Sequence, residues 1–107
     1  MKMLFANVGE IDHRRTQSGK LSREFLRVPA MSVGLYVLPA GATDPQSPHH
    51  EDEMYYVLGG RARFQADQED REVCAGSVLF VAAEVEHRFY DMAEELAVLV
   101  FFAPAES

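Results

Sequence analysis

From Phe25 onward the chain is built of short apolar runs cut by Gly, Pro and Asp, and this grain restricts the folds open to it. The runs fall at 25–28, 32–38, 53–58, 61–66, 72–74, 78–81, 87–90 and 96–102, with β-branched and aromatic residues prominent in them. Segments this short and closely spaced read as strands of a sandwich or barrel. No 12-residue stretch holds a helical apolar period, so the expected class is all-β. Gly59-Gly60 and residues 67–70 read as turns between neighbouring strands, as in consecutive hairpins. Residues 11–24 are polar and without a sustained period. The expectation is therefore one domain over 1–107, with a barrel core at about 25–103 and a strand or loop lead-in at 1–24.

Composition removes several classes of function. The net charge of −7 argues against a nucleic-acid partner, which would require a basic face. A single cysteine, Cys74, cannot form an internal disulfide and asks for no oxidising compartment. It is read as a small buried thiol, since no activating base stands beside it. The apolar start Met3-Leu4-Phe5-Ala6 is too short for a signal peptide, and no run approaches the roughly 18–20 apolar residues that cross a bilayer. We expect a cytoplasmic protein with no membrane partner.

Side chains two apart on a strand share a face. If Glu53 points inward, so do Tyr55 and Val57, while Tyr56 and Leu58 point out. If His87 points inward, Phe89 follows, and Arg88 and Tyr90 face out. The last run is apolar on both parities, which implies a second sheet on one side and a partner subunit on the other. A homodimer is expected. Phe64, Phe80, Phe89 and Phe101 are read as core, and Tyr55 as a packed tyrosine whose alternative is a polar role at the site.

Two stretches carry the chemistry. The first runs from Gly41 through Gln46, Ser47, His49, His50, Glu51, Asp52 and Glu53 to Gly60; the second runs from Gly76 through Ala82, Glu84 and His87 to Asp91. Together they resemble the paired motifs of the cupin family, G-x5-H-x-H-x3-E-x6-G and G-x5-P-x-G-x2-H-x3-N. Every spacing agrees. The letters differ at Ser47, where the family has its first histidine, and at Ala82, Glu84 and Asp91, where it has Pro, Gly and Asn. The resemblance implies a cupin-type double-stranded β-helix, also called a jelly-roll barrel, that commonly dimerises.

It also implies a metal site with His49, Glu53 and His87 as ligands. His49 and Glu53 are four apart, which an extended segment places on one face, and His87 must come from a strand beside them. Two imidazoles and one carboxylate suit one divalent metal ion per subunit, Fe, Mn, Ni or Zn. For a fourth ligand, Gln46 comes first, then Ser47 or a water in its place, then His50, whose parity is opposite to that of His49. The prolines at 45 and 48 fix this loop and can aim one of its side chains inward. A carboxylate buried in a barrel without a cation is costly, which favours a ligand role for Glu53. Glu51 and Asp52 are read as solvated or paired with an arginine.

Such a site would bind or act on a small oxygen-rich metabolite, with dioxygenase-, isomerase- or lyase-like chemistry. The alternative is a non-catalytic module that holds or senses a sugar or small acid with a degenerate metal site. The fold fixes the place of the chemistry and not its kind.

Overall fold

A computed structural model describes residues 1–45 and 48–107. Its elements are a helix, α1 (Val8–Ser18), and eight strands: β1 (Ser22–Val28), β2 (Met31–Leu38), β3 (Asp52–Gly59), β4 (Arg61–Ala66), β5 (Glu69–Cys74), β6 (Val78–Val81), β7 (His87–Tyr90) and β8 (Leu96–Ala103). All eight apolar runs are strands, and every described pairing is antiparallel. A five-stranded sheet in the order β1-β2-β8-β3-β6 faces a three-stranded sheet in the order β5-β4-β7.

The inward parity of both sheets makes one core. Tyr36 and Leu38, Tyr55 and Val57, Phe64, Val73, Phe89, and the alternate residues Leu96, Val98, Val100 and Phe102 all belong to it. Glu53, Tyr55 and Val57 are buried and Tyr56 is exposed, as the alternation requires. Each large apolar side chain in this core contributes roughly 1.5–3 kcal/mol by leaving water.

The lead-in departs from expectation, because residues 8–18 are helical. Only Ile11 of this helix is buried, so there is no apolar stripe for periodicity to reveal. Its ends and its charges define it instead. Gly19 adopts the left-handed conformation at φ 73° and donates its N–H to the Thr16 carbonyl. The pairs Arg14–Glu10 and Arg15–Asp12 run along its surface. Ile11 packs on Leu35 and Val37, on the outer face of the large sheet, in a cluster that Leu99 and Ala97 of β8 join. Much of the second apolar parity of β8 is thus covered within the chain.

Three smaller readings also change. Gly59-Gly60 is not a hairpin turn, since β3 pairs with β8 and β6 whereas β4 pairs with β5 and β7. The two glycines carry the chain from one sheet to the other. Cys74 is exposed, because its neighbour Val73 takes the inward position on β5. Phe80 is 62% exposed, because Val81 takes the inward position on the edge strand β6.

Candidate metal centre

The two motifs meet by direct hydrogen bonds. The His49 carbonyl accepts the Glu84 N–H at 2.7 Å, and Asp52 accepts the Ala83 N–H at 2.9 Å. Asp44 ties the same loop to two strands, accepting the Tyr36 hydroxyl at 2.9 Å and the Phe89 N–H at 2.9 Å. Burial, together with the charge and hydrogen bond of Asp44, pushes the Tyr36 phenol above its ordinary range, so it stays protonated and keeps donating. Glu84 and Asp91, where the family has Gly and Asn, hold left-handed backbone at φ 69° and 50°. Both positions thus hold backbone that Gly or Asn adopts at the least cost.

The result is a convergence of three donors from separate places: His49 in the loop before β3, Glu53 at the start of β3, and His87 at the start of β7 in the opposite sheet. One ligand atom of each lies within 4.8 Å of the others. Glu53 and His87 are buried, and His49 is partly buried. The Nε2 atoms of both imidazoles are turned towards Glu53, His87 at 2.8 Å from Oε1 and His49 at 4.0 Å from Oε2.

Their other nitrogens face oxygen. Nδ1 of His87 donates to the Val85 carbonyl at 2.9 Å, because a carbonyl can only accept. Its Nε2 then carries either a lone pair or a second proton. A lone pair there would confront the Glu53 carboxylate, another acceptor, at 2.8 Å. Only a cation between them, a proton or a metal, makes that distance favourable. Consistently, no hydrogen bond of good geometry reaches either oxygen of Glu53 among the described residues. A buried carboxylate facing imidazole nitrogens with no cation between them costs several kcal/mol, as much as one or two core side chains contribute. The three residues fit a divalent metal on that ground. Burial pulls the His87 imidazole down, but Glu53, the Val85 carbonyl and the charge of Asp44 outweigh it and hold the group above its ordinary value.

The surroundings are of two kinds. Tyr55, fully buried against Phe64 and Phe89, brings its hydroxyl to 3.1 Å from His87 Nε2. It is packed and also at the site, so its two readings coincide. A cavity of about 270 Å3 opens beside His49 between Tyr36, Val100 and Phe102, and a wider one of about 760 Å3 is lined by His87, Gln65, Asp44 and Arg88.

Other residues named from sequence fall elsewhere. His50 is exposed and its Nδ1 lies 2.7 Å from Glu84, which raises its pKa by hydrogen bond and charge. Gln46 and Ser47 lie outside the described residues. Glu51 is buried and accepts the Ser107 N–H at 3.2 Å, so it is neither solvated nor paired with an arginine in the described contacts. Glu106 was not anticipated: its Oε2 lies 3.3 Å from His49 Nδ1. Burial raises its carboxyl pKa, His49 pulls it back, and the charges of Glu53, Glu24 and Glu51 raise it further. No spacing in the sequence signals this contact, which depends on how the segment after β8 folds back.

Fold and site together define a small double-sheet β-barrel with two imidazoles and a carboxylate gathered between its sheets. The sequence model of the cupin domain matches residues 34–103, and the chain belongs to that family. It is 46% identical over 98 residues to an uncharacterized protein of Streptomyces coelicolor, covering 92% of this chain and 93% of that one. An RmlC-like cupin from Methanocaldococcus jannaschii with a double-stranded β-helix fold superposes with a TM-score of 0.70 at 19% identity, over 78% of each chain. The DMSP lyase DddQ of Ruegeria pomeroyi gives 0.67 at 22% identity over 71% of this chain. This chain spans only 39% of that lyase, and the likeness is one of fold. Among the described residues no helix is long and apolar enough to cross a membrane.

Proposed function

We propose that this cupin binds one divalent metal ion per subunit through His49, Glu53 and His87, with Gln46 as fourth donor, and that it takes a small oxygen-rich metabolite there. The observation that carries the reading is the buried Glu53 carboxylate, unbonded and faced by two Nε2 atoms. The donor set suits Fe(II), Mn(II), Ni(II) or Zn(II). When bound, such an ion supplies Lewis acidity, polarising a substrate oxygen. The chain's own residues do the rest. Phe102 and Val100 wall the small cavity with apolar surface, and Tyr55 holds a proton beside His87. The small cavity favours a compact substrate. Lyase, isomerase and dioxygenase chemistry are all open to this arrangement, and a lyase stands among the solved proteins of like fold. Ser47 at the family's first ligand position favours the second reading, a binding module that holds its ligand without turning it over.

A proton inventory tests the reading. The folded-state pKa of His87 is raised, so below the ordinary imidazole value, about 6.5, the metal-free site carries a proton on Nε2. That contribution to stability is fully present below the ordinary value and is lost as pH rises through the raised one. Metal uptake must displace this proton. Calorimetric titration at pH about 6, in two buffers of different ionisation enthalpy, is expected to show at least one proton released per metal. The release should vanish well above the raised pKa, where affinity levels off. Uptake without proton release at the lower pH would remove His87 from the ligand set.

We also propose a homodimer formed through the outer face of β3 and β6. Met54 pairs across from Phe80 and Tyr56 from Val78, and all four side chains are exposed. This half of the outer face lies beyond the cluster that Ile11 joins on β2. Light scattering should report a dimer for the parent protein and a monomer for Phe80→Glu; a monomeric parent would exclude the interface.

A further inference from the structure

We propose that Glu106 is the positioning residue for His49: it accepts the Nδ1 proton and so presents the Nε2 lone pair to the metal. The inference rests on the metal reading above.

The two imidazoles face the same requirement. To ligate through Nε2, each must be neutral, with its proton on Nδ1, and each must be held at a fixed angle. His87 meets this within its own segment, through the Val85 carbonyl two residues away. His49 precedes β3 and lies outside any strand. Phe102 meets the ring edge to face at 4.7 Å, which limits its tilt but does not choose its tautomer. Among the described residues, Glu106 Oε2 lies 3.3 Å from Nδ1.

That carboxylate comes from a segment held in place by its backbone. Ala105 donates its N–H to the Pro29 carbonyl at 3.3 Å, and Glu106 donates its own to the Ser32 hydroxyl at 2.9 Å. The Arg27 guanidinium donates to the Glu106 carbonyl at 2.6 Å, and the Ser107 N–H reaches the Glu51 carboxylate at 3.2 Å. Ser32 and Glu51 are both buried, so these are anchors inside the fold rather than surface contacts. They also give a use to Glu51, a buried carboxylate outside the donor cluster. The chain thus spends two buried polar side chains on fixing the backbone around one glutamate, whose side chain ends at the second nitrogen of a ligand. A carboxylate behind a ligating histidine fixes the ring and raises its basicity, and losing such a group typically costs about 10–100-fold in metal affinity.

The test compares Glu106→Ala with Glu106→Gln, whose amide oxygen can still accept. In metal-free protein, 15N NMR of the His49 ring reads the tautomer directly. Parent and Glu106→Gln are expected to hold the proton on Nδ1, and Glu106→Ala to shift it towards Nε2. In Co(II) titration, Glu106→Ala should bind about 10–100-fold more weakly, and Glu106→Gln should recover most of that loss. If Glu106→Ala does not fold, Glu106→Asp, which withdraws the carboxylate by one carbon, takes its place with the same expected loss. An Nδ1 proton and parent-like Co(II) affinity in the shortened variants would overturn the role of Glu106 alone. A parent protein that takes up no Co(II) would overturn the metal reading and this proposal together.

Discussion

His87→Ala is expected to emerge from purification without retained metal, while the parent carries about one equivalent per subunit. His87 supplies one of only two imidazoles in the proposed set, and its Nε2 is the nitrogen nearest the carboxylate, at 2.8 Å from Glu53. Losing a ligand must cost more than the roughly 10–100-fold that a supporting residue costs. The variant also leaves Glu53 buried without its cation, a loss of about 3–5 kcal/mol in the metal-free fold. His87→Gln therefore serves as its companion, since an amide can still donate to Glu53 but is a poor ligand. Full metal occupancy in a folded His87 variant would refute the site. In the same series Gln46→Ala should weaken metal binding more than Ser47→Ala does, and equal affinities would take Gln46 off the ligand list.

Gly60→Ala should destabilise the protein more than any other single methyl addition at its glycines. Gly60 has φ 93°, and an added Cβ would lie 2.1 Å from the Glu95 carbonyl oxygen and 2.8 Å from Leu96 Cα. Both are backbone atoms, one just before β8 and one at its first residue, so neither can swing aside. Gly19, Gly41 and Gly76 also have positive φ, but nothing lies within 4 Å of their hypothetical Cβ atoms. Left-handed backbone at a non-glycine residue costs about 1–3 kcal/mol by itself, and the clash adds to it. A total of about 3 kcal/mol or more corresponds to a fall of roughly 10–20 °C in Tm. Gly41→Ala, strained but unobstructed, should lose only about a third of that. Equal losses in the two variants would show that conformation alone, and not the approach of β8, accounts for the glycine.

This crossing glycine also marks where the sequence could be read and where it could not. All eight strands were legible, most of them as short apolar runs bounded by turn residues, although β5 begins three residues earlier than its apolar end showed. The inward parity of β3 and β7 followed from Glu53 and His87 alone. The hairpin read at 67–70 does form, β4 pairing with β5 and Ala66 lying opposite Glu69, but Gly59-Gly60 looked like a second hairpin because two glycines serve a crossover equally well. The helix α1 escaped because its stability lies in a cap and two ion pairs, with Ile11 as its one buried residue. On β6, an apolar run of only four residues, alternation gave no parity, and Phe80 was read inward when Val81 holds that position. That His49, Glu53 and His87 would come together was legible because motif spacing encodes it. Glu106 and Glu51 were missed because their contacts depend on tertiary folding after β8 and leave no mark in local spacing.

The central claim is that the unbonded Glu53 carboxylate and the two inward Nε2 atoms form a metal site. The most direct measurement is metal content per subunit by plasma mass spectrometry, on protein purified without a chelating tag. The account predicts close to one equivalent of iron, manganese, nickel or zinc, lost in His87→Ala. Protein that stays metal-free even after anaerobic reconstitution with each of these ions would contradict it, and would leave the cluster as a buried imidazolium–carboxylate pair in a ligand-binding barrel.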